Sequence, residues 1–157
     1  MLWRNWGNLD AVHFFLVRRL DLHPLLLWIE AEKVVDLKRL EQLTSLRKLA
    51  VSQSHDVTEL SFISTLTGLT SLPYGNAYPG SDKTVHIMSF DWVEPLVNLQ
   101  YVSLPGTSLA GLDLSIFARL RKLKTLGIPI RARHRTQIFA LAESSKPFRA
   151  LVKTYAW

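Results

Sequence analysis

Six apolar residues recur with the same spacing four times along this 157-residue chain, and that periodicity constrains its fold more than any other feature. The first copy is Leu37, Leu40, Leu43, Leu46, Leu49 and Val51, and 23 residues on stand Leu60, Ile63, Leu66, Leu69, Leu72 and Tyr74. A step of 30 leads to Phe90, Val93, Leu96, Leu99, Val102 and Leu104, and a step of 24 to Leu114, Phe117, Leu120, Leu123, Leu126 and Ile128. Each copy reads L-x-x-L-x-x-L-x-x-L-x-L. The three-residue spacing returns an apolar side chain to one side of a helical or 3₁₀ turn. The closing L-x-L points two side chains the same way from a short strand. One such unit cannot cover its own apolar face, so copies stack on a shared core with one strand each in a parallel sheet.

Composition is compatible with that plan. Apolar residues make up 48% of the chain, enough for one domain with a real core. There is no cysteine, which excludes disulfides, thiolate metal sites and cysteine nucleophiles. The start, Met1-Leu2-Trp3-Arg4, lacks the basic stretch and apolar run of a signal peptide. The apolar run Leu25 to Ile29 is far short of the roughly 20 residues that cross a bilayer. These features predict a cytoplasmic, monomeric protein. Charge is uneven: residues 1–118 carry nine Lys/Arg against twelve Asp/Glu, and residues 119–157 carry ten against one, Glu143. That asymmetry marks either an anionic partner or a solvated terminal cap.

The repeats resemble the leucine-rich repeat family in its short bacterial, internalin-like form. The resemblance rests on Leu43-Thr-Ser-Leu46-Arg-Lys-Leu49-Ala-Val51, Leu66-Thr-Gly-Leu69-Thr-Ser-Leu72, Leu96-Val-Asn-Leu99-Gln-Tyr-Val102-Ser-Leu104 and Leu120-Arg-Lys-Leu123-Lys-Thr-Leu126-Gly-Ile128. It implies an α/β solenoid with about five short parallel strands on a concave face, helical or 3₁₀ connections behind, and helical caps at both ends. Where the family places an inter-turn asparagine, this chain has Ser54, Ala77, Thr107 and Arg131. Ser and Thr replace part of that hydrogen bonding, and Asn76, one residue early, compensates through a shifted loop. Pro73 offers no amide hydrogen, so the second regular strand is expected to be short or kinked.

The domain plan is a cap at 1–24, repeats at 25–130 and a helical cap at 131–157. Leu26 and Trp28 stand 23 residues before Leu49 and Val51, which predicts a degenerate first copy with Leu25, Leu27 and Ile29 facing outward. A helix over Leu9 to Leu20, capped by Asn8 or Asp10 and carrying Val12, Phe15 and Leu16, would cover them. His134 to Ser144 reads as the closing helix, with Ile138, Phe139, Leu141 and Ala142 apolar and Pro147 beyond. The seven extra residues of the third period place a loop bulge at 75–89, around the turn formers Asn76, Pro79, Gly80 and Ser81.

Catalytic patterns are missing from the sequence: there is no phosphate-cradling glycine loop, no H-E-x-x-H and no G-x-S-x-G. His13, His23, His55, His86 and His134 lack metal-ligand spacing. Asp56, Glu59, Asp82, Asp91 and Glu94 read as a solvated flank rather than an acid/base pair. No cofactor, no metal and no enzymatic activity are expected. In the leucine-rich repeat family the concave strand row is the usual docking surface for proteins. The resemblance therefore implies a protein-interaction module that binds through Arg47, Lys48, Ser52, Ser71, Gln100, Tyr101, Ser103, Lys124 and Thr125, with Tyr78 from the 75–89 loop. The competing reading of the row is that its small residues merely let the strands pack. One alternative function is nucleic-acid or polyanion binding through Arg119, Arg121, Lys122, Arg131, Arg133 and Arg135 in the basic segment 119–153. A further alternative is a small bacterial inhibitor, immunity or effector-type protein.

Overall fold

The computed structural model describes residues 13–17, 25–31, 36–57, 59–76, 83–129, 131–144 and 148–149. Its strands are β1 (His13–Val17), β2 (Leu25–Glu30), β3 (Leu46–Ser52), β4 (Ser71–Gly75), β5 (Val85–His86), β6 (Tyr101–Ser103), β7 (Thr107–Ser108) and β8 (Thr125–Gly127). One sheet has the order β1-β2-β3-β4-β6-β8. From β2 to β8 every pairing in it is parallel, so five parallel strands form the front of a leucine-rich-repeat solenoid. Behind them lie 3₁₀ turns at Lys38–Gln42, Ser61–Thr65, Asp91–Val93 and Leu114–Arg119.

The leucine spacing is the hydrogen-bond spacing of those turns. The amide of Leu40 donates to the carbonyl of Leu37, Leu43 to Leu40 and Leu46 to Leu43, each at 2.9 Å. The same i to i+3 chain runs through Leu60, Ile63, Leu66 and Leu69, and through Phe90, Val93, Leu96 and Leu99. Each bond that closes a turn also returns an apolar side chain to the core, so periodicity and backbone satisfaction are one constraint. All the repeating positions are buried except Leu43, which is half-buried against the same core. Phe90 adds edge-to-face contacts to Trp92 and to Phe117, at centroid distances of 6.0 and 5.0 Å.

Small polar residues remain buried where the asparagine ladder is missing. Ser54 and Thr107 are buried, and the Thr107 hydroxyl donates to Leu104 O at 2.7 Å. Asn76 is buried as well: its amide N–H donates to Pro105 O and its Nδ2 to Lys83 O. The link to the next turn is thus made by the Asn76 backbone, while its side chain holds the start of the segment that leads into β5. Arg131 is exposed, and Ala77 lies outside the described residues. Burial pushes the Tyr74 hydroxyl, held against Ser54, up to about 12.

Four expectations are corrected. Residues His13–Val17 form a strand antiparallel to β2, not part of a helix. The first rung of a parallel sheet leaves an unpaired edge, and the β-prone run His-Phe-Phe-Leu-Val pairs with it. The rest of the expected helix, with its Asn8 or Asp10 cap, lies outside the described residues. Second, Leu27 pairs with Leu49 and Ile29 with Val51, after an irregularity between Leu25 and Leu26. Leu27 and Ile29 are thus buried, while Trp28 is 47% exposed. A one-residue slip exchanges the two faces of a strand. Third, of the strand expected to be short or kinked only the length is corrected: β4 keeps five residues despite Pro73, while its pairing to β3 is interrupted at Leu72 and Pro73 and resumes at Tyr74. The missing amide costs one ladder bond without shortening the strand. Fourth, the far end of the 75–89 segment is built into the fold: β5 pairs in parallel with β7 as a second, two-stranded sheet, burying Val85 and Ile87.

At the other end, a 3₁₀ turn at Ala132–His134 leads into α1 (Arg135–Ser144). Ile138, Leu141 and Ala142 are buried as expected, whereas Phe139 stands outside beneath the Arg135 guanidinium at 5.7 Å. Gln137 clamps the helix to the last turn, accepting from Leu114 N at 2.6 Å and donating to Leu112 O at 3.1 Å. Pro147 lies outside the described residues. No described helix is long and apolar enough to cross a membrane.

Candidate functional site

Parallel pairing brings residues from distant parts of the chain into rows across the outer face of the sheet. Leu26, Lys48, Ser71, Tyr101 and Thr125 stand in register at the strand starts. The next outward row holds Trp28 beside Ala50, then Pro73, Ser103 and Gly127 in mutual register. Ser52 lies in the third row, between Glu30 and Gly75. Tyr101 is 40% exposed, and Lys48 and Thr125 are also exposed.

One residue ahead of the first row runs a backbone-linked line. Thr70 N donates to Arg47 O, Gln100 N to Thr70 O, and Lys124 N to Gln100 O, at 2.7–2.9 Å. Arg47 also reaches the next turn, where its Nη1 donates to Gly68 O at 3.0 Å, and Thr70 Oγ1 donates to Arg47 O at 3.0 Å. Nine of the ten residues predicted for the docking row therefore lie on these adjoining lines of one face. Tyr78 lies outside the described residues. The face has shallow relief, because its middle row is small: a side chain at Gly127 would press on Ser103 Oγ at 3.2 Å.

Trp28 is the residue of this face that the repeat alignment put inside. In Leu25-Leu-Leu-Trp-Ile-Glu30 both alternating sets are largely apolar, so spacing alone cannot orient the strand. The signal that could have done so is Glu30, which shares its parity with Leu26 and Trp28, because a carboxylate is almost never buried unpaired.

The alternative basic residues do not gather in one place. Arg119 pairs with Glu94 at 3.2 Å on the exposed back, and Lys122 donates to Asn98 Oδ1 at 2.7 Å. Asn98 in turn donates to Thr67 O, so Lys122 finishes a line that binds three turns. Arg121 is exposed beside it, ahead of β8, whereas Arg131, Arg133 and Arg135 follow the strand at its other end. Lys146, Lys153, Tyr155 and Trp157 lie outside the described residues.

Behind the sheet, Met88, Phe90, Asp91, Leu112, Ile116 and Arg119 line an open groove of about 290 Å³. Glu59 and Asp113 sit at the starts of 3₁₀ turns. Hydrogen bonds from the Ser61 and Ser115 amides and hydroxyls hold both carboxyls below their usual values. Because the folded value is depressed, each contributes stability above the ordinary carboxylate range, and that stability is lost as pH falls through the lowered value. Ser115→Ala should therefore flatten the acid side of the stability–pH profile; an unchanged profile in acid titration would contradict this role. Among the described residues no second acid is hydrogen-bonded to Asp91, and Asp82 lies outside them. His55 stands 3.5 Å from Asp56 and 3.2 Å from Lys83 Nζ. Among the described residues no three His, Asp or Glu side chains converge.

No protein-family model matches this chain. No curated protein matches it either. Among solved structures, an internalin from Listeria monocytogenes is similar at 21% identity with a TM-score of 0.47, over 59% of this chain and 24% of the internalin. Internalin C2 of the same organism is similar at 24% identity with a TM-score of 0.46, over 60% of this chain and 37% of internalin C2. The chain thus spans well under half the length of either structure.

Proposed function

We propose that this chain is a non-enzymatic protein-interaction module that docks a protein partner on the outer face of its parallel sheet. The observation that carries the reading is the open face itself, with Trp28 and Tyr101 47% and 40% exposed on strands whose opposite sides are fully buried. Exposed aromatic side chains on a rigid support bury large area at small entropy cost, which is what interface anchors do. The row that runs on from Trp28 holds only the small residues Ala50, Pro73, Ser103 and Gly127, so a partner meets little steric relief before it reaches the rings.

Affinity capture from the source organism tests the reading. Proteins retained by the wild type should be lost from a Tyr101→Ala, Lys48→Glu variant and kept by Glu59→Ala on the back surface. Equal retention by the wild type and the front-face variant, with the fold intact by circular dichroism, would place docking elsewhere.

A further inference from the structure

The turns and strands that build the outer face are 43–52, 66–76, 96–105 and 120–129. Their charged residues are Arg47, Lys48, Arg121, Lys122 and Lys124, and no carboxylate occurs in any of them. The described acids of the regular turns, Asp36, Glu41, Asp56, Glu59, Asp91, Glu94 and Asp113, all lie on the connections between the strands. The first rung adds Glu30, but at the far end of its strand, in the row of Ser52 rather than that of Lys48. The face is therefore cationic along the strand starts and, apart from Glu30 at one edge, uncharged beyond them.

The cations fall into two groups. Arg47 and Lys48 stand on β3, and Arg121, Lys122 and Lys124 at the start of β8. The intervening turns present only Thr70, Ser71, Gln100 and Tyr101 on the same lines. Three strand steps separate the groups, about 14 Å at the usual strand spacing. The Lys48 and Lys124 side chains are exposed and make no hydrogen bond or ion pair among the described residues.

We infer that the segment docked on this face is an acidic, extended peptide, its carboxylates held by Lys48 and Lys124 and its apolar side chains laid over Tyr101 between them. The inference rests on the docking reading above. An extended chain covers 14 Å in roughly four residues, so the matching acids stand about four apart around an uncharged centre. A nucleic-acid backbone fits less well. Its charges are closely and evenly spaced, whereas the two middle rungs meet them with none, and the remaining arginines lie beyond the other end of β8.

The test is nuclear magnetic resonance titration of the full chain with three synthetic peptides of equal length. One carries glutamates four residues apart around leucines, and the others carry lysine or glutamine in their place. The glutamate peptide should shift the amides of Lys48, Ser71, Tyr101 and Thr125. A Lys48→Glu, Lys124→Glu variant should weaken it about tenfold, and raised salt should weaken it further. If the lysine or glutamine peptide occupies the same row equally well, the acidic specificity fails and the docking reading stands. Shifts confined to another surface would sink both. Tighter binding of a short single-stranded oligonucleotide at this row would overturn the inference in favour of a polyanion.

Discussion

Leu69→Ala should lower the unfolding free energy by about 2–5 kcal/mol, whereas Thr70→Ala next to it should cost about 1 kcal/mol or less. Leu69 is fully buried, and its amide closes the last i to i+3 bond of its turn onto Leu66 O at 2.9 Å. Truncating it keeps the backbone bond but leaves a cavity between two stacked rungs, where neither can collapse without dragging its strand. Thr70 points outward and loses only the hydroxyl bond to Arg47 O at 3.0 Å. Because a domain of this size is stable by only about 5–15 kcal/mol, the leucine variant should lose roughly 5–15 °C in thermal melts. Near-equal melting temperatures for the pair would contradict the inward register of the second regular rung.

Gly75→Ala should be as damaging, for a backbone reason. Gly75 ends β4 with φ +148, and an added Cβ would overlap the carbonyl oxygen of Pro105 and press on Thr107 Cγ2. That same carbonyl accepts the Asn76 amide at 2.8 Å, so the strands cannot separate without breaking the link that also positions Lys83 and β5. Strain and overpacking together should cost about 3 kcal/mol or more. Gly111→Ala is the control: its φ of +76 is also positive, but nothing lies within 4 Å of the new atom, so only the backbone term of about 1–2 kcal/mol remains. Denaturant unfolding of the two variants checks the difference. Equal losses would mean that the β4–β6 approach is looser than described.

The two positions separate what each level of description can see. Leu69 was legible before any coordinates, because its place in L-x-x-L-x-x-L-x-x-L-x-L is simultaneously a bonding position and a packing position. Gly75 was not. Its constraint comes from Pro105, thirty residues away, and only the stacking of rungs puts them together. The candidate site divides in the same way. Lys48, Ser71, Tyr101 and Thr125 follow from the repeat once the strands are parallel, since equal phase in each copy means equal height on the sheet. Trp28 does not follow, because an irregularity beside Leu26 shifts the first rung by one residue, and one residue is the whole difference between core and surface.

The amino-acid order by itself determined the rungs. Leucines three apart satisfy the turn's own hydrogen bonds while facing one core, and those forces act within a dozen residues. Tertiary structure decided how the solenoid begins and where its insertion goes: the antiparallel β1 edge, the phase of β2, and the β5–β7 pairing that draws Val85 and Ile87 into the core. Each of these depends on which distant backbone offers an unpaired edge, and an edge exists only after the rungs have stacked.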